Sequence, residues 1–372
     1  MSSIAVRPVT TSKEMDQFIR FPWRVYRNSP AWVPPLLMDR RKLVDRKKNP
    51  FYNHADAEFF LATRNGEVAG RIGAIVNHNH TKEHGDATGF FGFFECVDDQ
   101  TVADALLDAA ETFLRQRGMR AMRGPASPSV NDEYGLLIHG FEHTPVVLMP
   151  YNPPYYATLL ERHGLAKVRD LVSYLLSQDT VMTDKLQRVT QRLKERGGIS
   201  VRSLNMKDFD NELERLKVIY NTAWAKNWGA VPMTDDEIMA MAADLKPVIV
   251  PEVVLFAENK GKTIGFALSL PDLNIPLKYN TNGYLLPGIL RLFLHKKKIN
   301  LVRIIALGVL PEYLNSGLAG VLFYETAVRA KPLGYDFGEA GWVLEDNVQM
   351  VRSAELMNGE AYKKYRLYEK PL

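Results

Sequence analysis

Apolar and polar positions fall into short alternating runs set between helical ones, and the order of these runs occurs twice. Residues 4–9 alternate as a strand does, and 11–18 have the spacing of a short helix with Thr11 or Ser12 as its cap. Residues 57–64 and 68–77 predict two strands around Asn65-Gly66, a pair that tolerates the positive φ of a tight hairpin. Strand 89–94 follows. Helix 101–117, apolar at Val102, Ala105, Leu106, Ala109, Ala110 and Phe113, ends at Gly118, and strand 121–124 comes next. The second half repeats the order with strand 199–204, helix 209–225 and a hairpin of 253–258 and 263–270 around Lys260-Gly261. Strand 302–309, helix 318–330 and strand 335–343 complete it. Residues 181–196 predict a polar, periodic connecting helix. The expectation is an α/β chain of α+β type with two consecutive domains, each a mixed twisted sheet flanked by helices. They span 1–178 and 199–372, joined by 179–198.

Composition narrows the class. With 46% apolar, 10% aromatic and 24% charged residues, the 372-residue chain has the balance of a packed protein. A net charge of +4 gives no argument for a nucleic-acid partner. One cysteine, Cys96, excludes an internal disulfide framework and a cysteine zinc cluster, and favours a reducing compartment such as the cytoplasm. The start, MSSIAVRPVTTSKE, lacks an export signal, and the apolar stretch 143–160 contains Pro145, Pro150, Pro153 and Pro154, which would break a spanning helix.

One segment carries candidate chemistry. Strand 303–309 runs through Leu310-Pro311-Glu312-Tyr313-Leu314 into Asn315, Ser316, Gly317, Leu318, Ala319 and Gly320, and then a helix. Small residues allow a ligand close to the backbone, and the first amides of a helix bind an anionic pyrophosphate. An ordinary strand-to-helix turn has the same outline.

With Val309-Leu310-Pro311 before it and Gly317-Leu318-Ala319 at its end, this segment resembles the phosphate loop of the GNAT superfamily of acyl-CoA-dependent acyltransferases. Leu314 departs from the pattern, which has Gln or Arg there. The order downstream also resembles that family: strand 335–343, Glu345-Asp346-Asn347, a helix to Met357, Asn358-Gly359 and strand 362–368. The resemblance implies acetyl-CoA or a longer acyl-CoA as co-substrate and an amine as acceptor. It implies a backbone amide around Leu307 and Val309 on the acyl carbonyl, and Asn347 on the pantetheine or phosphate arm. A tyrosine that the family often has about seven residues later is replaced by Ser353 and Ala354, so no general acid is transferred. Glu339 is the leading candidate base and Glu345 the second; either also fits an ordinary exposed or ion-paired carboxylate.

The first half ends with residues 151–156, an apolar-periodic 159–165 and strand 168–176, and resembles the close of a second such domain. Its loop is Glu95-Cys96-Val97-Asp98-Asp99, three carboxylates and no glycine, with Asp98 or Asp99 as a helix cap. That domain is expected not to bind CoA and to shape the acceptor pocket or a dimer surface. The tandem arrangement, with residues 342–347 and 362–370, is similar to bacterial tandem GNAT proteins related to bacterial ceramide synthases, which join an acyl chain from a thioester to a long-chain amine. The function implied is N-acyl transfer, the lipid amine being one acceptor. A catalytically silent acyl-CoA sensor and a tRNA-dependent aminoacyl transferase are the rival readings.

Several features stay open at this level. Residues 273–311 contain no acid but hold Lys278, Arg291, Lys296, Lys297, Lys298 and Arg303 around the apolar run 284–294. Peripheral contact with the inner membrane face, an acyl chain, the CoA phosphates, or a core helix with a basic end all fit. His78 and His80 would share one face of a strand, with His84 close by and no completing carboxylate, so no metal is expected. His139 and His143 read as loop or pocket-lining residues, and residues 131–135 as an acceptor pocket or a surface turn. Arg40-Arg41-Lys42 and Arg46-Lys47-Lys48 read as a solvated helix face.

Overall fold

The structure, a computed structural model, describes residues 4–224 and 227–372. Ala225, where the expected helix from Phe209 ends, lies outside them. Two compact units are present. One runs through Asp170 and takes in Leu277–Phe293 and Lys363–Leu372; the other comprises Leu171–Pro276 and Leu294–Tyr362.

In the first unit the strands lie in the order Ile4–Pro8, Ala55–Arg64, Glu67–Asn77, Thr88–Cys96, Ala121–Gly124 and the last part of Glu360–Pro371. Leu136–His139 pairs on that final strand. Thr88–Cys96 and Ala121–Gly124 run parallel, and their register covers Thr88↔Ala121 to Phe90↔Arg123. The Asn65-Gly66 turn has φ of 52° and 84°, the conformation that dipeptide favours. Helix Gln100–Gln116 buries Val102, Leu106, Leu107, Ala110 and Leu114 against the sheet and is capped by Asp99, whose carboxylate accepts from the amides of Thr101 and Val102.

The second unit has the order Ala166–Ser177, Phe337–Leu344, Leu301–Val309, Lys262–Pro271, Leu255–Asn259, Ile199–Ser203. A parallel pair joins Leu301–Val309 to Phe337–Leu344 through the helix Leu318–Ala330. Gly265 packs beneath Leu318 and Leu322, so that helix lies on the Gly265 face of the sheet. Leu268 points the other way, towards helices Phe209–Trp224 and Asp235–Leu245, with Phe209, Leu216, Leu245 and Phe256 around it. The connecting helix is Asp184–Gly197, preceded by a separate short turn at Gln178–Val181.

Four local expectations are corrected. His78–His84 is a helix because Asn77 caps it, its side chain accepting from the amides of Asn79 and His80. Arg40 is not on a solvated face: it leaves helix Leu37–Val44 to pair with Glu133, while Arg46 and Lys47 lie beyond that helix. Within 131–135, Glu133–Tyr134 forms a small strand against Ala126–Ser127, with Tyr134 buried. The run 284–294 is no core helix. Helix Leu285–His295 buries Gly288 and leaves Leu285, Leu286, Leu290, Leu294 and Phe293 exposed.

Candidate active site

The strand Leu301–Val309 is bulged at Ile305, because Ser269 pairs with Ile304 while the adjacent Leu268 pairs with Ala306. Its parallel register with Phe337–Leu344 runs only from Leu301↔Phe337 to Ile304↔Ala340. Beyond that point neither strand has a registered partner in the other. The amide of Leu310 donates to Ile264 O (2.9 Å), which makes that a hydrogen-bonded pair of the antiparallel ladder with Lys262–Pro271. Alternation then gives Gly308 to the same ladder and turns the N–H and C=O of Leu307 and Val309 to the side where the parallel partner has diverged. A carbonyl oxygen in that gap would meet backbone donors already oriented.

The same strand leads through Pro311–Tyr313 to the start of Leu318–Ala330. Gly317 is the N-cap, at φ 88°, a left-handed conformation that only glycine adopts without strain. Ser316 Oγ accepts from the amide of Leu318 at 3.2 Å and donates to Tyr313 O at 2.7 Å. Ala319 and Gly320 are the second and third helical residues, whose amides aim along the helix axis. The small residues have a second use. A Cβ on Gly317 would lie 3.2 Å from Val189 Cγ1, and one on Gly320 3.2 Å from Leu186 Cδ1, so the connecting helix packs here. Asn315 and Gly317 remain exposed on the other side. Asn315 Oδ1 accepts from Gln349 Nε2 at 2.9 Å, which ties the loop to helix Val348–Leu356. Asn347 caps that helix, its side-chain Oδ1 accepting from Met350 N.

Glu339 and Glu345 part company. Glu345 is exposed, two residues before the helix cap Asn347. Glu339 is fully buried. It lies opposite Arg303, which lies opposite Leu270, so both charges are on the Leu268 face of the sheet, away from Leu318–Ala330. Arg303 Nε is 3.9 Å from Glu339 Oε1 and its Nη2 donates to Gly341 O at 3.1 Å. The Tyr362 hydroxyl donates to Glu339 Oε2. A Cβ on Gly341 would run into Ser173 Oγ, a fully buried hydroxyl with no hydrogen-bond partner among the described residues. Arg303, Tyr362 and Ser173 were not singled out as site residues from the sequence. A pair of opposite charges inside two strongly apolar strands was the available signal for Arg303; nothing local pointed to Tyr362 or Ser173.

The first unit has the same bulge and parallel pair, but its gap is filled. Register slips between Arg71↔Glu95 and Gly73↔Gly92. The amide of Phe93 donates to Ser127 Oγ, and that of Cys96 to Tyr156 OH, both at 2.8 Å. Gly92 lies so close to Ala126 O that no side chain fits there. His163 lies within hydrogen-bond reach of Asp104 and Glu111, both at 2.9 Å, and Glu111 also accepts from Lys370 and Arg115.

Two units with strands in this order, each with a parallel pair, a bulged central strand and a helix crossing over it, define a tandem GNAT protein. A tandem GNAT protein from the clavulanic acid biosynthesis pathway superposes with a TM-score of 0.57 at 12% identity, covering 99% of this chain and 98% of that one. The chain belongs to the family of acyltransferases that includes the bacterial ceramide synthase of Caulobacter vibrioides (strain NA1000 / CB15N), to which it is 37% identical over 382 residues, 100% of this chain and 98% of the relative. Protein YghO of Escherichia coli (strain K12) is 32% identical over 378 residues, 99% of this chain and 95% of that protein. No protein-family model matches.

Proposed function

We propose that the chain transfers an acyl group from acyl-CoA to the nitrogen of a long-chain amine, using the second unit. The observation that carries this is the divergence of Leu301–Val309 from Phe337–Leu344 after Ile304↔Ala340, with Leu307 and Val309 turned to the opening and a helix directly after whose cap, Gly317, and the preceding Asn315 are exposed. The thioester carbonyl accepts from the amides of Leu307 and Val309, and the pyrophosphate lies on residues 315–320. Asn347 offers its remaining Nδ2 to the pantetheine arm. The amine nitrogen forms the new C–N bond as the C–S bond breaks and the thiolate leaves. Glu339 takes the ammonium proton, with Tyr362 and Arg303 holding its carboxylate, and Glu345 is the second candidate. Ser173, buried and unpartnered beside Gly341, fits a polar pocket for the amine. The kinship to a ceramide synthase supports a lipid amine. The first unit, its gap occupied by Ser127 and Tyr156, supplies structure and leaves CoA to the second.

One observation favours a silent acyl-CoA-binding protein instead: Glu339 is wholly buried and bonded within the fold. Mass spectrometry of the product from palmitoyl-CoA and a long-chain amine separates the two. An amide supports transfer, and CoA binding without product supports the silent reading. Ala319→Glu places a carboxylate among the helix amides without harming the helix, whose N-terminus favours negative charge. CoA affinity should fall at least tenfold; unchanged affinity moves the CoA site elsewhere.

A further inference from the structure

The helix Leu285–His295 has only 11 residues, about half of what a bilayer span needs, yet it carries the two most exposed large apolar side chains among the described residues, Leu286 and Phe293. Leu286 is 79% exposed, Ile289 47%, Leu290 57%, Phe293 70% and Leu294 61%. Their spacing of three and four residues puts all five on one stripe of the helix. Scattered apolar residues are ordinary on a surface, but a continuous stripe of this kind marks an interaction site.

So short a helix is marginal alone and needs anchoring. Gly288, on the opposite side, lies so close to Leu36 and Asn280 that a Cβ there would stand 2.9 Å from each. Asn280 Nδ2 donates to Tyr284 O, the Leu37 amide to Gly283 O, and Trp23 Nε1 to Thr281 O. Arg20 reaches the Tyr284 hydroxyl at 3.3 Å, and Lys278 Nζ donates to Thr144 Oγ1 at 2.9 Å. The inner face is thus pinned and the apolar stripe is held outward.

Along the chain, the charge of this segment has one sign. No acidic residue occurs between Asp272 and Glu312, whereas Arg291 lies within the helix and Lys296–Lys298 continue directly from its end. We propose that this helix is an interfacial anchor, lying flat on a bilayer rich in anionic phospholipid, with the apolar stripe at the acyl boundary and the basic residues among the headgroups. A second copy of the chain would satisfy the apolar stripe but would bring identical positive charge against the lysines. An anionic surface satisfies both. This inference stands apart from the transfer reaction, since it uses none of the residues assigned to the site.

The test is sedimentation with sucrose-loaded vesicles of phosphatidylcholine alone and of phosphatidylcholine with phosphatidylglycerol. Binding should be at least about tenfold tighter with the anionic lipid and should weaken as salt rises. Leu290→Glu with Phe293→Glu should abolish it. The triple change of Lys296, Lys297 and Lys298 to Glu should remove the preference for phosphatidylglycerol. Circular dichroism of both variants and CoA affinity report whether the fold is kept, and the salt dependence of the unaltered protein tests the proposal without any variant. Equal binding to both vesicle types, or none, overturns it. So does a concentration-dependent dimer that Leu290→Glu with Phe293→Glu dissociates in the absence of lipid, which would assign the stripe to a second copy.

Discussion

Two buried carboxylates illustrate how position decides what a residue can do. Glu339 and Glu95 lie near the parallel pairs of their respective units, each with an arginine and tyrosine hydroxyls close by. If Glu339 is the base, Glu339→Gln should lower kcat by about 10²–10⁴ with CoA affinity little changed, while Glu345→Gln, at an exposed position, should be near wild type. A Glu339→Gln enzyme with full turnover and an unchanged pH profile would move the role elsewhere. Glu95 makes a prediction about stability. Burial raises its pKa above the ordinary value of 4.5, outweighing the Arg71 charge and the hydroxyls of Tyr26 and Tyr156, and burial likewise lowers the pKa of Arg71. The folded state therefore holds the Glu95 proton more tightly than the unfolded chain does. Stability should fall as pH rises above about 4.5, and continue to fall until the folded carboxyl has ionised, by about 1.4 kcal/mol per pH unit separating the two values. Glu95→Gln removes this slope and leaves a pH-independent offset from the changed Arg71 contact. Urea unfolding of both proteins across that range measures the difference, and parallel curves would contradict the assignment.

At the scale of elements, the helix Asp184–Gly197 is more than a connector, since Leu186 is fully buried and lies beside Gly320. Leu186→Ala should cost about 2–5 kcal/mol in urea unfolding, against a few tenths expected of a solvated linker. That packing also explains what could be read in advance and what could not. Asn65-Gly66 and Lys260-Gly261 were legible because the turn itself demands positive φ, and the four residues supply it at 52°, 84°, 50° and 78°. The helix Leu318–Ala330 and its Gly317 start were legible for the same local reason. Whether Gly317 and Gly320 receive a ligand, a helix or both depends on Leu186 and Val189, more than 120 residues earlier, and no local pattern encodes that. The His78–His84 helix was missed although its signal was present: Asn77 is a good cap, and a two-residue spacing of histidines does not by itself distinguish strand from helix. The bulge at Ile305, which lies where the parallel register ends, arises from a slip of register, which apolar alternation along one strand does not report.

At the scale of the whole chain, the last ten residues belong to the fold of the first unit. Tyr368↔Gly124 to Pro371↔Ala121 extend its sheet, and Lys364 to Arg366 pair with Leu136–His139. Tyr365, Leu367 and Tyr368 are fully buried. Charged groups fix the register further: Arg123 Nε donates to Glu369 at 2.7 Å, Arg366 grips Asp170 with two bonds at 2.8 and 3.1 Å, and Lys370 reaches Glu111 at 2.7 Å. Burying three such side chains contributes about 5–9 kcal/mol, at 1.5–3 kcal/mol each, which is comparable with the whole stability of an ordinary domain. A fragment of residues 1–178, the division that the sequence pattern suggests, therefore lacks the strand its sheet needs. It should show little chemical-shift dispersion and rapid proteolysis throughout. The chain ending at Tyr362 should lose protection in hydrogen exchange at Thr88–Cys96 and Ala121–Gly124, and adding a peptide of residues 363–372 in trans should restore part of it. A 1–178 fragment that unfolds cooperatively, with native-like dispersion, would show that the C-terminal strand only decorates a first unit already complete without it.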